Sequence, residues 1–194
     1  MNNSDIGDEG NIDNSSLVEI PFPDRKRQSF GISSARDLLA KIERELSEFE
    51  GCTHFVRAGD HAFNLCLSLW HMTDWAFADM TPDECCKAQQ FLGTVFNKPS
   101  EFSVAVQKAE PALKICRIMA TASKHVEVTK FPEPSLDTMI DIYAHATDVD
   151  APIILKWGVS IEGASYSMLD VFKRATSFWT SFFVAIGWPA DRRI

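Results

Sequence analysis

From about residue 33 onward, apolar side chains recur every three or four positions, the period of a helix, and only one later stretch breaks that rhythm. Ser33 or Ser34 can cap a first helix in which Leu38, Leu39, Ile42, Leu46 and Phe49 form a stripe, with Gly51 placed to end it. A second helix is expected from about Thr53 to Asp79. Phe63, Leu65, Cys66, Leu69, Trp70, Met72, Ala76 and Phe77 make it apolar over most of its circumference, which marks it as central. Thr81-Pro82-Asp83-Glu84 reads as a cap, a first-turn proline and first-turn acids, and predicts a third helix to about Phe96. Asn97-Lys98-Pro99 breaks the chain, and Ser100 is the expected cap of a short helix to about Ala109. Pro111 either kinks that helix or begins a new one that runs through Ile115, Ile118 and Met119 to about His125.

After His125 the period changes to two. Val126 to Phe131, Thr138 to Thr147 and Ile153 to Ile161 alternate as strands do, with Asp148-Val149-Asp150-Ala151-Pro152 a plausible hairpin loop and Gly163 the end of the run. The last helix should begin at Ser167. It carries Met168, Val171, Phe172, Ala175, Phe178, Trp179, Phe182, Phe183 and Ile186 on one stripe, and Gly187 and Pro189 stop it. The fold class expected is therefore mainly α (α+β). It is a helical bundle with a small two- or three-stranded antiparallel sheet before the last helix.

Residues 1–32 are rich in Asn, Ser, Asp and Gly and are expected to be a mobile segment, leaving 33–194 as one domain with its sheet at about 126–161. A chain of 194 residues buries roughly 70% of its unfolded surface on folding, so no disulfide or metal is needed to hold it together. A formal charge of -8 argues against broad binding to duplex DNA or to anionic membranes. The five cysteines are odd in number, and Cys66 and Cys116 fall within apolar helical patterns as small hydrophobes. With no leader-like segment and no apolar run near the ~20 residues of a membrane span, the expectation is a reducing, cytoplasmic location.

Candidate chemistry lies on two helices. On the second, Arg57, Asp60, His61, Asn64, Ser68, His71, Asp74 and Trp75 project within roughly 140° at about 100° per residue. Asp, Asn, Ser and His are poorer helix formers than the Lys, Glu and Gln of a solvated face. Such short polar groups suit a preorganised site or an interhelical hydrogen-bond network, and both readings stand. The helix ending near His125 presents Lys114, Arg117, Thr121, Lys124 and His125, so it is basic where the other is acidic. If the two polar faces meet, Asp60 or Asp74 can orient a histidine or a cation, as a site for a phosphate-bearing ligand requires, or can form an ordinary salt-bridge arrangement. His71 and Asp74 have the spacing of a helical metal-ligand pair, with His61 or His125 to complete it, but no Glu-x-x-His motif accompanies them and no metal or other cofactor is expected. There is no P-loop, no Gly-x-Gly-x-x-Gly and no Gly-x-Ser-x-Gly.

The segment Arg117 to His125, at the end of a helix in a helical bundle, resembles the HEPN superfamily, whose members include toxin and antiviral ribonucleases that cut RNA without metal, commonly as dimers. The resemblance covers about residues 34–125 and departs from the usual motif in its longer Arg-to-His gap and in apolar Ile118 after the Arg. It implies a protein acting on RNA, a nucleotide or another phosphate-bearing substrate. Arg117 would bind phosphate and His125 would transfer protons, with His71 and Asp74 beside them and Asn64, Lys124 and Asp60 contacting substrate. A homodimer is expected both from that resemblance and from the wealth of apolar surface. The alternative is a noncatalytic helical protein that binds a protein partner.

Overall fold

The computed structural model describes residues 30–122, 136–143 and 154–189. The chain divides into Met1–Ser33 and Ser34–Ile194, and the fold below is that of the second unit. It is mainly helical. Helices α1 (Ala35–Gly51), α2 (Phe55–Asp79), α3 (Pro82–Leu92), α4 (Pro99–Ala109) and α5 (Pro111–Ala122) precede strands β1 (Leu136–Tyr143), β2 (Ile154–Ile161) and β3 (Ala164–Ser167), and α6 (Met168–Ile186) follows. Residues 1–29 of the expected mobile segment 1–32, the expected strand 126–131 and the expected hairpin loop 148–152 lie outside the described residues.

Helix starts follow side-chain chemistry. Ser34 caps α1 by accepting from the Asp37 amide at 3.2 Å. Thr81 and Glu84 form a reciprocal capping box on α3 with Pro82 in the first turn. Two boundaries differ from expectation. α3 stops at Leu92 instead of Phe96, because Gly93 adopts φ 64, a left-handed conformation that glycine enters without a Cβ penalty. α4 begins at Pro99, with Lys98 rather than Ser100 at the cap position, since proline suits the first turn, where its missing N–H costs nothing. Pro111 likewise opens a separate helix instead of kinking α4.

The sheet has the order β1-β2-β3 and is antiparallel throughout, with Leu136 opposite Ile161 and Tyr143 opposite Ile154. β3 was not among the expected strands. The chain does not leave the sheet at Gly163 but turns there. Glu162 (φ 52) and Gly163 (φ 81) both take left-handed conformations, the two-residue turn that matches strand twist, and Ala164 to Ser167 pair back onto Ile161 to Gly158.

Central α2 packs against α1, α4, α5, α6 and β2. The core is aromatic: Phe96, Phe102, Phe172, Trp179, Phe182 and Phe183 are all within 1% of complete burial. Phe102 touches Phe96, Trp179 and Phe182 at centroid separations of 4.9, 6.5 and 5.7 Å, the tilted packing that aromatic quadrupoles favour. Every member of the α6 stripe is buried except Phe178, which is half-buried. That stripe is spent inside one chain. The Trp179 indole donates to the Leu69 carbonyl at 3.3 Å, so its one polar atom is satisfied.

The sheet is docked by Trp157. Its ring stacks on Phe55 at 4.4 Å, its indole N–H donates to the Phe55 carbonyl at 3.2 Å, and it lies flat over Gly59, where an added Cβ would sit 3.3 Å from the ring. Gly59→Ala gains about 1 kcal/mol of helix propensity but crowds that ring. A double-mutant cycle by chemical denaturation is therefore expected to show Gly59→Ala stabilising more, by on the order of 1 kcal/mol, in a Trp157→Ala background than in the wild type.

Candidate functional site

The polar arc of α2 is met by α1. On α1, Lys41 and Glu45 lie one turn apart beside the apolar stripe of Leu38, Ile42 and Phe49, so packing that stripe on α2 brings both polar groups to the seam. Lys41 Nζ donates to Ser68 Oγ at 3.0 Å and pairs with Glu45 at 3.1 Å. Glu45 in turn holds His61 Nδ1 at 2.7 Å. Burial raises the Glu45 carboxyl pKa, but hydrogen bonds from His61 and Lys41, with the charge of both, outweigh it and leave the group below its usual value. The result is a carboxylate-oriented imidazole beside an ammonium group, in a seam where all three side chains keep 16–26% of their exposure.

Lys41 and Glu45 were not among the residues singled out from the sequence. Their signal was present as an i,i+4 pair on the flank of an apolar stripe. The expected carboxylates do not take that role: Asp60 and Asp74 are exposed, as is Asn64, while His71 is half-buried. Among the described residues no three His, Cys, Asp or Glu side chains converge tightly enough to hold a metal ion, so the His71/Asp74 pair is not completed there.

α5 packs on α2, but not through the polar arcs. Cys66 of α2 and Cys116 of α5 are both buried, and the Cys66 thiol together with burial pushes the Cys116 pKa well above the ordinary thiol value. At about 100° per residue, Cys66 lies roughly 150° around α2 from the middle of its polar arc. The buried residues of α5, Ala112, Leu113, Ile115, Cys116 and Ala120, are apolar, so what joins the two helices is contact between apolar sides, where the area to be buried lies.

Arg117 is half-buried on α5, and its Nε is fully buried without a hydrogen-bond partner. It forms no ion pair among the described residues. Its neighbours differ: Lys114 reaches Glu162 at 3.8 Å, and Thr121 donates to the Arg117 carbonyl at 2.8 Å. Lys124 and His125 lie outside the described residues, so the Arg117/His125 pair has no geometry here.

Beside the α2–α5 contact is a cavity of about 270 Å³ walled by Phe63 and Cys66 of α2, Met119 of α5, Trp157 of β2 and Met168 of α6. Phe63, read from the sequence as a core residue, is 50% exposed because it stands at this cavity instead of inside the bundle. No described helix is long and apolar enough to cross a membrane. Comparison with protein-family models, curated proteins and solved structures finds no match.

The Glu45 shift makes a pH prediction. A carboxyl whose folded pKa is depressed adds stability that is present above the unfolded value and is lost as pH falls through the folded one. The stability difference between wild type and Glu45→Gln should be at most about 1 kcal/mol at neutral pH, as for a largely surface pair, and should vanish in strong acid. Urea unfolding at several pH values would measure it, and a difference independent of pH would remove the ion pair from the account.

Proposed function

We propose that this protein acts on a phosphate-bearing substrate, with RNA the first candidate, and that Arg117 is the phosphate-contacting cation and His125 the proton-transfer group. The observation that carries the reading is the state of Arg117. Several cations are already neutralised, Lys41 by Glu45, Lys114 by Glu162, Lys173 by Glu50 and Arg174 by Glu110, whereas Arg44, Arg57 and Lys108, unpaired among the described residues, are exposed. Arg117 is half-buried on a helix and, among the described residues, has no carboxylate partner and a buried Nε without a hydrogen-bond partner. A guanidinium held in that condition is suited to an oxyanion, which its planar fork binds in bidentate fashion. The assignment of His125 rests on sequence and on the HEPN resemblance, and so does a role for Lys124.

A second reading, a noncatalytic interaction protein, draws support from the α1–α2 seam. There His61 and Ser68 are used to tie two helices together, which is what a structural polar network does.

Incubating the purified chain with total RNA, with and without chelator, separates the two. Chelator-resistant cleavage should fall by about a hundredfold in Arg117→Ala, the scale of losing one charge-stabilising donor, and comparably in His125→Ala. His61→Gln, which disturbs only the seam, should retain most activity. Intact RNA under all conditions would favour the interaction reading.

A homodimer belongs to the same proposal, since two Arg117/His125 pairs could then share one cleft. With the α6 stripe consumed internally, two copies would have to meet through other surface, where exposed Val95 and Val184 are examples of the apolar side chains available. Light scattering across the micromolar range is expected to give twice the chain mass; a mass that stays at one chain would rule out the stable dimer.

A further inference from the structure

The cavity beside the α2–α5 contact is used by neither reading above. Five elements wall it: Ala62 and Phe63 come from α2, Met119 from α5, Thr138 from β1, Trp157 from β2 and Met168 from α6. Five elements meeting round one space make a pocket for a compact molecule, whereas an extended peptide needs a groove that runs for several residues. The volume of about 270 Å³ sets the size of that molecule. An apolar cavity of about 150 Å³ holds one benzene, so this one suits roughly ten non-hydrogen atoms, two fused rings rather than one.

Among the described residues no side chain of the wall carries a charge, which makes the cavity hostile to an ion, because a buried charge without a partner costs far more than a buried apolar group. Its surfaces are aromatic and thioether. Trp157 is fixed before any ligand arrives: its ring stacks on Phe55 at 4.4 Å and lies against Gly59, and its indole N–H is engaged by the Phe55 carbonyl at 3.2 Å. It therefore offers the cavity ring surface and no free donor. Phe63 is 50% exposed, and a ligand seated beside it removes from water apolar area that folding left there. The flexible, polarisable thioethers of Met119 and Met168 adapt to an aromatic edge. Exposed Thr138 supplies the one hydroxyl of the described wall. Thr138 pairs with Val159 as Ile140 pairs with Trp157, and residues paired across strands or two apart share a face, so Thr138 stands on the same side of the sheet as Trp157.

We propose that this cavity binds an uncharged bicyclic aromatic molecule carrying one hydrogen-bonding group, with its rings against Trp157, Phe63 and the two methionines and its polar group on Thr138 Oγ1. No residue assigned to the phosphate-bearing substrate forms part of the described wall, so the site stands whether or not that reading does.

The test titrates the full chain, labelled with carbon-13 methyl methionine, with indole and follows the methyl resonances by NMR. Those of Met119 and Met168, assigned with Met119→Leu and Met168→Leu, should move together along one curve that saturates in the millimolar range or below, while core residue Met72 stays unmoved. Ala62→Phe, which fills the space, should weaken indole binding at least about tenfold. Thr138→Val keeps the shape and removes the hydroxyl. It should weaken indole about fivefold, the scale of one neutral hydrogen bond, and leave indene, which has the same ring outline without the N–H, unaffected. Indole-3-carboxylate should bind at least about ten times more weakly than indole, since its charge finds no partner there. Shifts that never saturate or that spread to Met72 and Met80, equal affinity for the carboxylate, or a Thr138→Val chain that binds indole as the wild type does would each overturn the proposal. So would light scattering in which indole converts dimers to single chains, for the cavity would then hold part of a second copy. The wild-type titrations with indole, indene and the carboxylate decide the matter even if Ala62→Phe destabilises the bundle.

Discussion

A helix of 25 residues that is apolar over most of its circumference has to be covered on most sides, and the rest of this fold is the means by which α2 is covered. α6 supplies the largest apolar groups, and the Trp179 indole is fixed to α2 through the Leu69 carbonyl. α4 adds Phe102, which reaches Phe77 of α2 and Trp179 of α6 at once. α5 closes another side with its own buried apolar residues, and the sheet caps the first turn through Trp157 and Gly59. Only the polar arc is left, and α1 takes its edge by pairing Lys41 and Glu45 with Ser68 and His61. The site follows from the packing: what remains reachable on α2 is what its neighbours did not need.

Local chemistry made the helices legible in the chain. Ser34, the Thr81/Glu84 box, Pro111 and Gly187 each act over one turn, so the information needed to place them lies within a few residues. The misplaced ends are where two local signals compete. Gly93 ended α3 before the apolar period of Val95 and Phe96 ran out, and Pro99 outranked Ser100 as the first-turn signal. β3 was missed for a related reason. Ala164, Ser165, Tyr166 and Ser167 alternate too weakly to announce a strand, and what makes them one is pairing with β2 after a tight turn, which depends on a neighbour.

The candidate site was legible to the same depth. Helical geometry gives the direction of each side chain from its own axis, so the grouping of His61, Ser68 and His71 on one arc was accessible. It does not say which helix will face that arc. α5 was the electrostatically attractive partner, basic opposite acidic, but apolar area decides helix packing at this scale: a buried Leu or Phe contributes about 1.5–3 kcal/mol, a surface ion pair 1 or less. α2 and α5 therefore meet on their apolar sides, and the carboxylate that orients His61 comes from α1.

This ranking of forces also explains why Arg117 stands out. Some surface cations find acids, as Lys173 finds Glu50 at 2.6 Å and Arg174 finds Glu110 at 2.9 Å, while exposed Arg44, Arg57 and Lys108 are left to solvent. Arg117 is placed instead by the burial of its neighbours Leu113, Cys116 and Ala120 on the same helix, which draws the base of its side chain into the bundle whatever charge lies nearby. An arginine can tolerate this because its aliphatic stem packs while its terminal nitrogens remain near water. The buried Nε is a standing cost that methionine or leucine in its place would not carry. In a chain with a net charge of -8 most cations have acids within reach, and it is packing rather than charge that sets where Arg117 lies.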